Sequence, residues 1–251
     1  MAGEVGRNEP ERLRSRILEI LKKEGKLISY LENTSHQMRT PMTLISSYTE
    51  LILAGMYGPL TDDMREKMEM ISSNLEEMSY FVDQVQDIGY LANGRETGEL
   101  KKVDIRTMVD NVAAEISLIG KQRNVKFELE NMTRPVEIPV DEHLARRALS
   151  HLLRYVVSTA PFGARIKVAL KEGEERTLII VFGFGQMMDQ DRMASIVRSM
   201  SEKDARLTTM EWEKLSLPIA KALMEVQKGD LTVFEDEDSR CVYVLEFSNR
   251  P

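Results

Sequence analysis

The feature that most limits this chain is an apolar stripe near its amino terminus. Ile17, Ile20, Leu27, Leu31, Thr34, Met38, Ile45, Thr49 and Ile52 follow a 3-4 alternation, interrupted by Glu24 and with Met42 displaced from it. That period belongs to a helix with a coiled-coil seam, and a helix from Glu11 to Ala54 would be about 65 Å long. A helix of that length does not stand alone, so its stripe needs partners. The stretch "AGMYGPLTDD" ends it with two glycines and a proline, and Thr61 can cap a second helix whose first turn carries Asp62 and Asp63. That helix presents Met64, Met68, Ile71, Leu75, Met78, Val82 and Val85 on one face. The pattern predicts an antiparallel hairpin, and pairing two copies into a dimeric four-helix bundle buries the stripes most simply.

After "NGRETGELKK", which reads as a linker, the period changes. "KKVDI", "VKFELEN", "RIKVALKE", "RTLIIVFGF", "GDLTVFED" and "RCVYVLEF" read as strands, and 106–122, 141–158 and 212–227 as helices. "KEGEERT" is a hairpin turn. The fold class expected is α+β, a helical hairpin followed by an α/β sandwich whose mixed sheet is covered by helices on one face. The domain division expected is a flexible amino terminus at 1–10, a coiled coil and hairpin at 11–93, a linker at 94–100 and the sandwich at 101–251.

Composition removes several function classes. A single cysteine, Cys241, leaves no disulfide framework and no cysteine metal site, which suits a reducing cytosol. His143 and His151 are isolated from other ligand types, so no metal is expected. No apolar run reaches the roughly 20 residues that span a bilayer, and "MAGEVGRNEPERLRSR" lacks the apolar core of a signal peptide. A cytoplasmic protein without membrane insertion is expected. The net charge of −7, with both signs interspersed, provides no basic stripe for nucleic acid. The sixteen methionines read as adaptable core filler.

Within the first helix stands "YLENTSHQMRTPMTLISSYTELI", where His36 is followed five residues later by Pro41. A proline inside a helix costs roughly 3 kcal/mol, so its place one turn beyond a histidine needs a reason. "SHQMRTP" resembles the phosphoacceptor box of sensor histidine kinases, usually S-H-E-L-R-T-P. The following "YTELILAGMYGPLTDDMREKMEMISSNLEEMSYFVDQVQDIGYLANGR" is similar to the rest of that family's dimerisation and histidine-phosphotransfer hairpin. Residues 101–247 resemble its ATP-binding domain more weakly. The resemblance implies that His36 is an exposed phosphorylation site and that the proline marks a bend beyond it. A neutral imidazole on a bundle face suits attack on a phosphoryl donor; read from the residues alone, a solvent-facing histidine beside an ordinary kink stays open.

Against the family pattern, the acid after the histidine is here Gln37, whose amide can hold the ring but cannot take its proton near neutral pH. Thr40 stands where the family has a residue implicated in orienting water during removal of phosphate from a response regulator. Gln37 could position a water too, and both side chains also read as ordinary surface polar residues.

The nucleotide boxes depart further. "RRALSHLLRYVVSTAPFGARIKV" resembles the segment written N-L-L-x-N-A, but His151 and Tyr155 hold the asparagine places, and a phenol is a poor Mg²⁺ ligand. "IIVFGFGQMM" keeps Gly183 and Gly185 of D-x-G-x-G, with Val181 replacing the aspartate that reads adenine. A lone G-x-G is equally a turn. In "WEKLSLPIAKAL", Trp212, Lys214 and Ser216 occupy glycine places of G-x-G-L-G-L, blocking close backbone approach to phosphate. Lys214 could meet phosphate as a point charge or be a solvated helix-start lysine.

The function expected is therefore that of a homodimeric, histidine-kinase-like phosphotransfer protein without ATP-driven autophosphorylation. His36 would exchange a phosphoryl group with the receiver domain of a response regulator, or assist its removal, with Gln37 and Thr40 as the accompanying catalytic residues. No cofactor of its own is expected, since the receiver can supply Mg²⁺. A scaffold that binds a receiver or a kinase, and an atypical active kinase, are the alternative readings; a separate sensor or kinase could feed the amino-terminal coil.

Overall fold

The structure is a computed structural model. It describes residues 25–93, 98–119, 124–130, 134–184, 193, 209–236 and 240–249, with backbone alone for 25–33, 92, 118–119 and 209–214. Two compact units divide the chain, with the break between Gly94 and Arg95. None of the described helices is long and apolar enough to cross a membrane.

In the first unit, α1 (Gly25–Leu53) and α2 (Asp62–Ala92) form an antiparallel hairpin. The turn between them uses Gly55 at φ 79° and Gly58 at φ 113°, a left-handed backbone that other residues adopt only under strain. Thr61 caps α2 by accepting a hydrogen bond from Met64 N at 3.2 Å, as the sequence predicts, with Asp62 and Asp63 beside the positive helix end.

The stripe of α1 divides into two faces. Ser35, Met42 and Thr49, seven residues apart, are buried in the hairpin, and the Thr49 hydroxyl is satisfied by Ile45 O at 2.8 Å. Met42 is thus central rather than displaced. Met38 and Ile45, placed by the sequence in the same seam, are 37% and 49% exposed. The second helix divides likewise: Leu75 and Val82 are buried, whereas Met64, Ile71 and Met78 are 51%, 41% and 47% exposed. Burial of Met42, Leu75 and Val82 contributes about 1.5–3 kcal/mol each relative to exposure, so the inner faces hold the hairpin closed. The outer faces are uncovered in the single chain. Of the remaining seam residues, Ile17, Ile20 and Glu24 lie outside the described residues, as do residues 1–10 and the side chains of Leu27 and Leu31.

The second unit holds a five-stranded sheet in the order β2-β4-β5-β7-β6, from β2 (Lys126–Glu130), β4 (Arg165–Glu172), β5 (Arg176–Gly183), β6 (Asp230–Glu235) and β7 (Cys241–Ser248). Only β2 and β4 pair in parallel; the other neighbours are antiparallel. On β5, Thr177, Ile179, Val181 and Gly183 are buried while Leu178, Ile180 and Phe182 are half-buried, the period-2 alternation of a sheet with one covered face. Helices α3 (Ile105–Ile119), α4 (Glu142–Thr159) and α5 (Thr209–Val226) complete the α/β layer.

A separate two-stranded ribbon pairs β1 (Lys101–Asp104) with β3 (Glu137–Val140). The short β3 is absent from the sequence expectation, because four residues with Pro139 in their midst carry little strand signal. Asp104 joins the ribbon to α3: its carboxylate accepts from Arg106 N at 3.2 Å, Thr107 Oγ1 at 2.5 Å and Val136 N at 3.0 Å. Burial pushes its pKa upward, but the Thr107 hydroxyl and the backbone N–H groups together hold it below the ordinary value of 3.8. Asp141 caps α4 through Leu144 N at 3.1 Å and also accepts from Gly98 N at 2.8 Å, tying the incoming chain to that helix.

Candidate phosphoacceptor site and the altered nucleotide site

His36, Gln37 and Thr40 lie around one turn of α1, and all three are exposed. The helix continues through Pro41 to Leu53. Proline has no N–H, so the Gln37 carbonyl loses its usual partner four residues ahead, and the backbone ladder is weakest directly beside the histidine. Within this gap, two residues before Pro41, Arg39 reaches across to α2: its Nη2 donates to Asp83 Oδ1 at 2.5 Å and to Gln86 Oε1 at 2.7 Å. The Arg39 carbonyl in turn accepts from Thr43 Oγ1 at 2.9 Å. Sequence reasoning did not single out Arg39, although it sits inside "SHQMRTP"; its partners are 44 and 47 residues away, beyond the reach of any local pattern.

An exposed imidazole of this kind can approach a phosphoryl group without displacing core atoms. The polar neighbours at i+1 and i+4 can each orient a water, the amide by donating or accepting and the hydroxyl by both.

The positions matched to the nucleotide boxes have a different character. His151 and Tyr155 on α4 are buried, as is Val181 on β5. The Tyr155 ring meets Tyr243 of β7 edge-on, with centroids 6.0 Å apart and planes at 72°. Tyr243 is fully buried, and it is the cross-strand partner of Val181. Gly183 fits between these groups: a Cβ there would lie 2.8 Å from Tyr243 Cε2 and 2.8 Å from Val156 Cγ1. Absence of a side chain at Gly183 thus serves close packing of β5 against α4 rather than an open loop. Its cross-strand neighbour Cys241 is buried too, and burial pushes that thiol's pKa up, with Glu235 and Asp236 adding to the effect and a Tyr243 hydrogen bond opposing it.

The third box is helical. α5 begins at Thr209, so the backbone N–H groups from Lys214 onward fall within the helix's own hydrogen-bonding ladder, and Ser216 is buried beside Leu215 and Leu217. Farther along α5, the buried Lys221 Nζ donates to Asp230 Oδ1 at 2.7 Å and Leu231 O at 3.1 Å, which fastens the helix to β6. Gly185 and the side chains of Trp212 and Lys214 lie outside the described residues. The structure therefore brings Tyr155, Val181 and Gly183 together around Tyr243, a residue the sequence reading passed over. These residues do not fit a Mg²⁺–nucleotide complex: a buried valine presents no acceptor for adenine, and a phenol packed against an aromatic ring is no ligand for a hard cation. Among the described residues no cluster of potential metal ligands occurs.

This hairpin and sheet define a class. Residues 26–94 match the family model of the His Kinase A (phospho-acceptor) domain. The chain is 24% identical to the sensor protein IrlS of Burkholderia pseudomallei over 88% of its own length and 47% of that protein. It is also 24% identical to the sensor histidine kinase CusS of Escherichia coli, over 83% of this chain and 43% of the relative. It thus spans about half the length, or less, of these curated relatives. Among solved structures, the Acinetobacter baumannii histidine kinase AdeS aligns with a TM-score of 0.54 at 15% identity, covering 86% of this chain and 98% of that one. Full-length ShkA in complex with AMPPNP aligns with a TM-score of 0.57 at 18% identity, covering 87% and 45%. The fold is that of histidine kinases, and residues 26–94 form a hairpin of the phosphoacceptor type.

Proposed function

We propose that this protein moves phosphoryl groups through His36 to or from the aspartate of a response-regulator receiver domain, without charging itself from ATP. The observation that carries the proposal is the contrast between an exposed His36, flanked by Gln37 and Thr40, and the buried Tyr155, Tyr243 and Val181, the first and last of which match nucleotide boxes by sequence. In the transfer, an imidazole nitrogen attacks phosphorus, the bond to the aspartyl oxygen breaks, and the carboxylate leaves with its electron pair. The imidazole proton passes to water. Such a step draws on a donor that is already activated, so it needs no adenine reader or phosphate loop in this chain, and the receiver supplies the Mg²⁺.

Two copies would pair through the outer stripes that include Met38, Ile45, Ile71 and Met78, all more than a third exposed in the single chain. Burying such stripes between copies gives the four-helix bundle.

Gln37 and Thr40 favour a second reading on the same turn: removal of phosphate from the receiver by a positioned water. The test incubates the purified protein first with ATP and Mg²⁺, then with a phosphorylated receiver, and follows acid-labile phosphate. Labelling of His36 only in the second incubation supports phosphotransfer; phosphate released to solution without labelling favours the hydrolytic reading, and labelling from ATP overturns the proposal.

A further inference from the structure

Arg39 links the acceptor turn to the second helix, and what it does there deepens the phosphoacceptor reading of His36, on which it rests. His36 and Arg39 are three residues apart on α1, hence neighbours on the helix surface. The same nitrogen, Nη2, donates to both Asp83 and Gln86, so neither bond engages Nη1 or Nε of the guanidinium fork. The ion pair is half in water, with Arg39 and Asp83 side chains 52% and 48% exposed, a setting in which a single carboxylate holds a guanidinium weakly. A phosphoryl group on His36 would bring nearly two negative charges and three acceptor oxygens to the adjacent position, matched to the unused edge of the fork.

We propose that Arg39 is the positioning residue of the phosphorylated state: its guanidinium leaves Asp83 and Gln86 for the phosphoryl group on His36, and phosphorylation thereby unfastens α1 from α2 beside Pro41. The place of the fastening gives the exchange its effect. Arg39 lies two residues before Pro41, where the Gln37 carbonyl lacks its ladder partner, so the helix has a ready point of bending once the cross-link is released.

The test charges the full chain with phosphoramidate, which needs neither ATP nor a partner. An imidazole nitrogen attacks phosphorus, the P–N bond to ammonia breaks, and the departing ammonia carries off the imidazole proton as ammonium. Phosphorylation is followed by intact mass, with His36→Ala as the control. In the uncharged protein, Asp83→Asn is expected to lower the unfolding midpoint by about 1–3 °C. In the charged protein the same substitution should have no effect, because Arg39 has already left Asp83. Arg39→Lys should shorten the phosphohistidine half-life several-fold, an effect that a purely structural link would not produce. If His36 is charged but Asp83→Asn lowers the midpoint equally in both states, or Arg39→Lys leaves the half-life unchanged, the exchange is overturned and the phosphoacceptor reading stands. If phosphoramidate leaves His36 uncharged, both fall together.

Discussion

The hairpin and the sheet unit resemble histidine kinases in opposite ways. In the hairpin, resemblance lies in exposed atoms: His36, Gln37 and Thr40 face solvent on α1, and the apolar outer stripes are open. In the sheet unit it lies in the scaffold, while Tyr155 and Val181, matched to the nucleotide boxes by sequence alone, are closed into the core. A fold can keep its layers and strand order while losing a binding site, because layers depend on periodic burial and a site depends on a few exposed groups.

The sharpest way to break this contrast is His36→Ala. It should reduce transfer from a phosphorylated receiver by at least about 1,000-fold, some 4 kcal/mol of barrier, while the unfolding free energy stays within about 0.5 kcal/mol because the side chain is exposed. Retained transfer would move the chemistry away from α1. The mirror experiment in the sheet unit is Tyr155→Ala, which removes a buried ring from its edge-on partner. It should cost about 3–4 kcal/mol in urea unfolding and leave transfer by the folded fraction unchanged. A small cost, or gain of ATP binding, would show that the ring covers a latent pocket.

Asp104→Asn tests how the sheet unit is held rather than what it binds. The wild-type carboxylate has a folded pKa below its ordinary 3.8, so its stabilisation is present above about pH 4 and fades as pH falls through the folded value. The variant should be less stable at neutral pH by about 1 kcal/mol, and the gap should narrow in acid. A gap independent of pH between 2 and 7 would contradict the ionised cap. The smallest effect on folding is expected for Ile45→Ala, about 0.5 kcal/mol or less in a single chain, since Ile45 is half exposed there. Its main effect should be on self-association, measured by sedimentation as a several-fold rise in the dimer dissociation constant.

Much of this contrast could be read from the sequence, for physical reasons that differ by element. The helices and longer strands announce themselves by period, and the Thr61 cap by residue type at a fixed offset. Val181, Tyr155 and Ser216 stand out in the sequence because the resemblance leads one to expect other residue types at those places. What packs against Tyr155 does not: Tyr243 meets it from 88 positions along the chain, on a strand whose place beside β5 only the folded sheet creates. The same applies to the Arg39 link, and to the choice of Met42 over Ile45 as the inner residue of α1, which turns on a helix rotation of tens of degrees. β3 escaped because Pro139 reads as a breaker until its edge position opposite Lys102 is known.

The fit of Gly183 between Tyr243 and Val156 limits what its neighbours can become. Tyr155→Asn would leave an amide and a void where an aromatic ring packs, and Val181→Asp would place a carboxylate in apolar surroundings. Each substitution lowers stability on its own, before any ligand could compensate. The packing around Tyr243 thus guards itself one position at a time, because each polar newcomer would have to be buried before a partner could reach it.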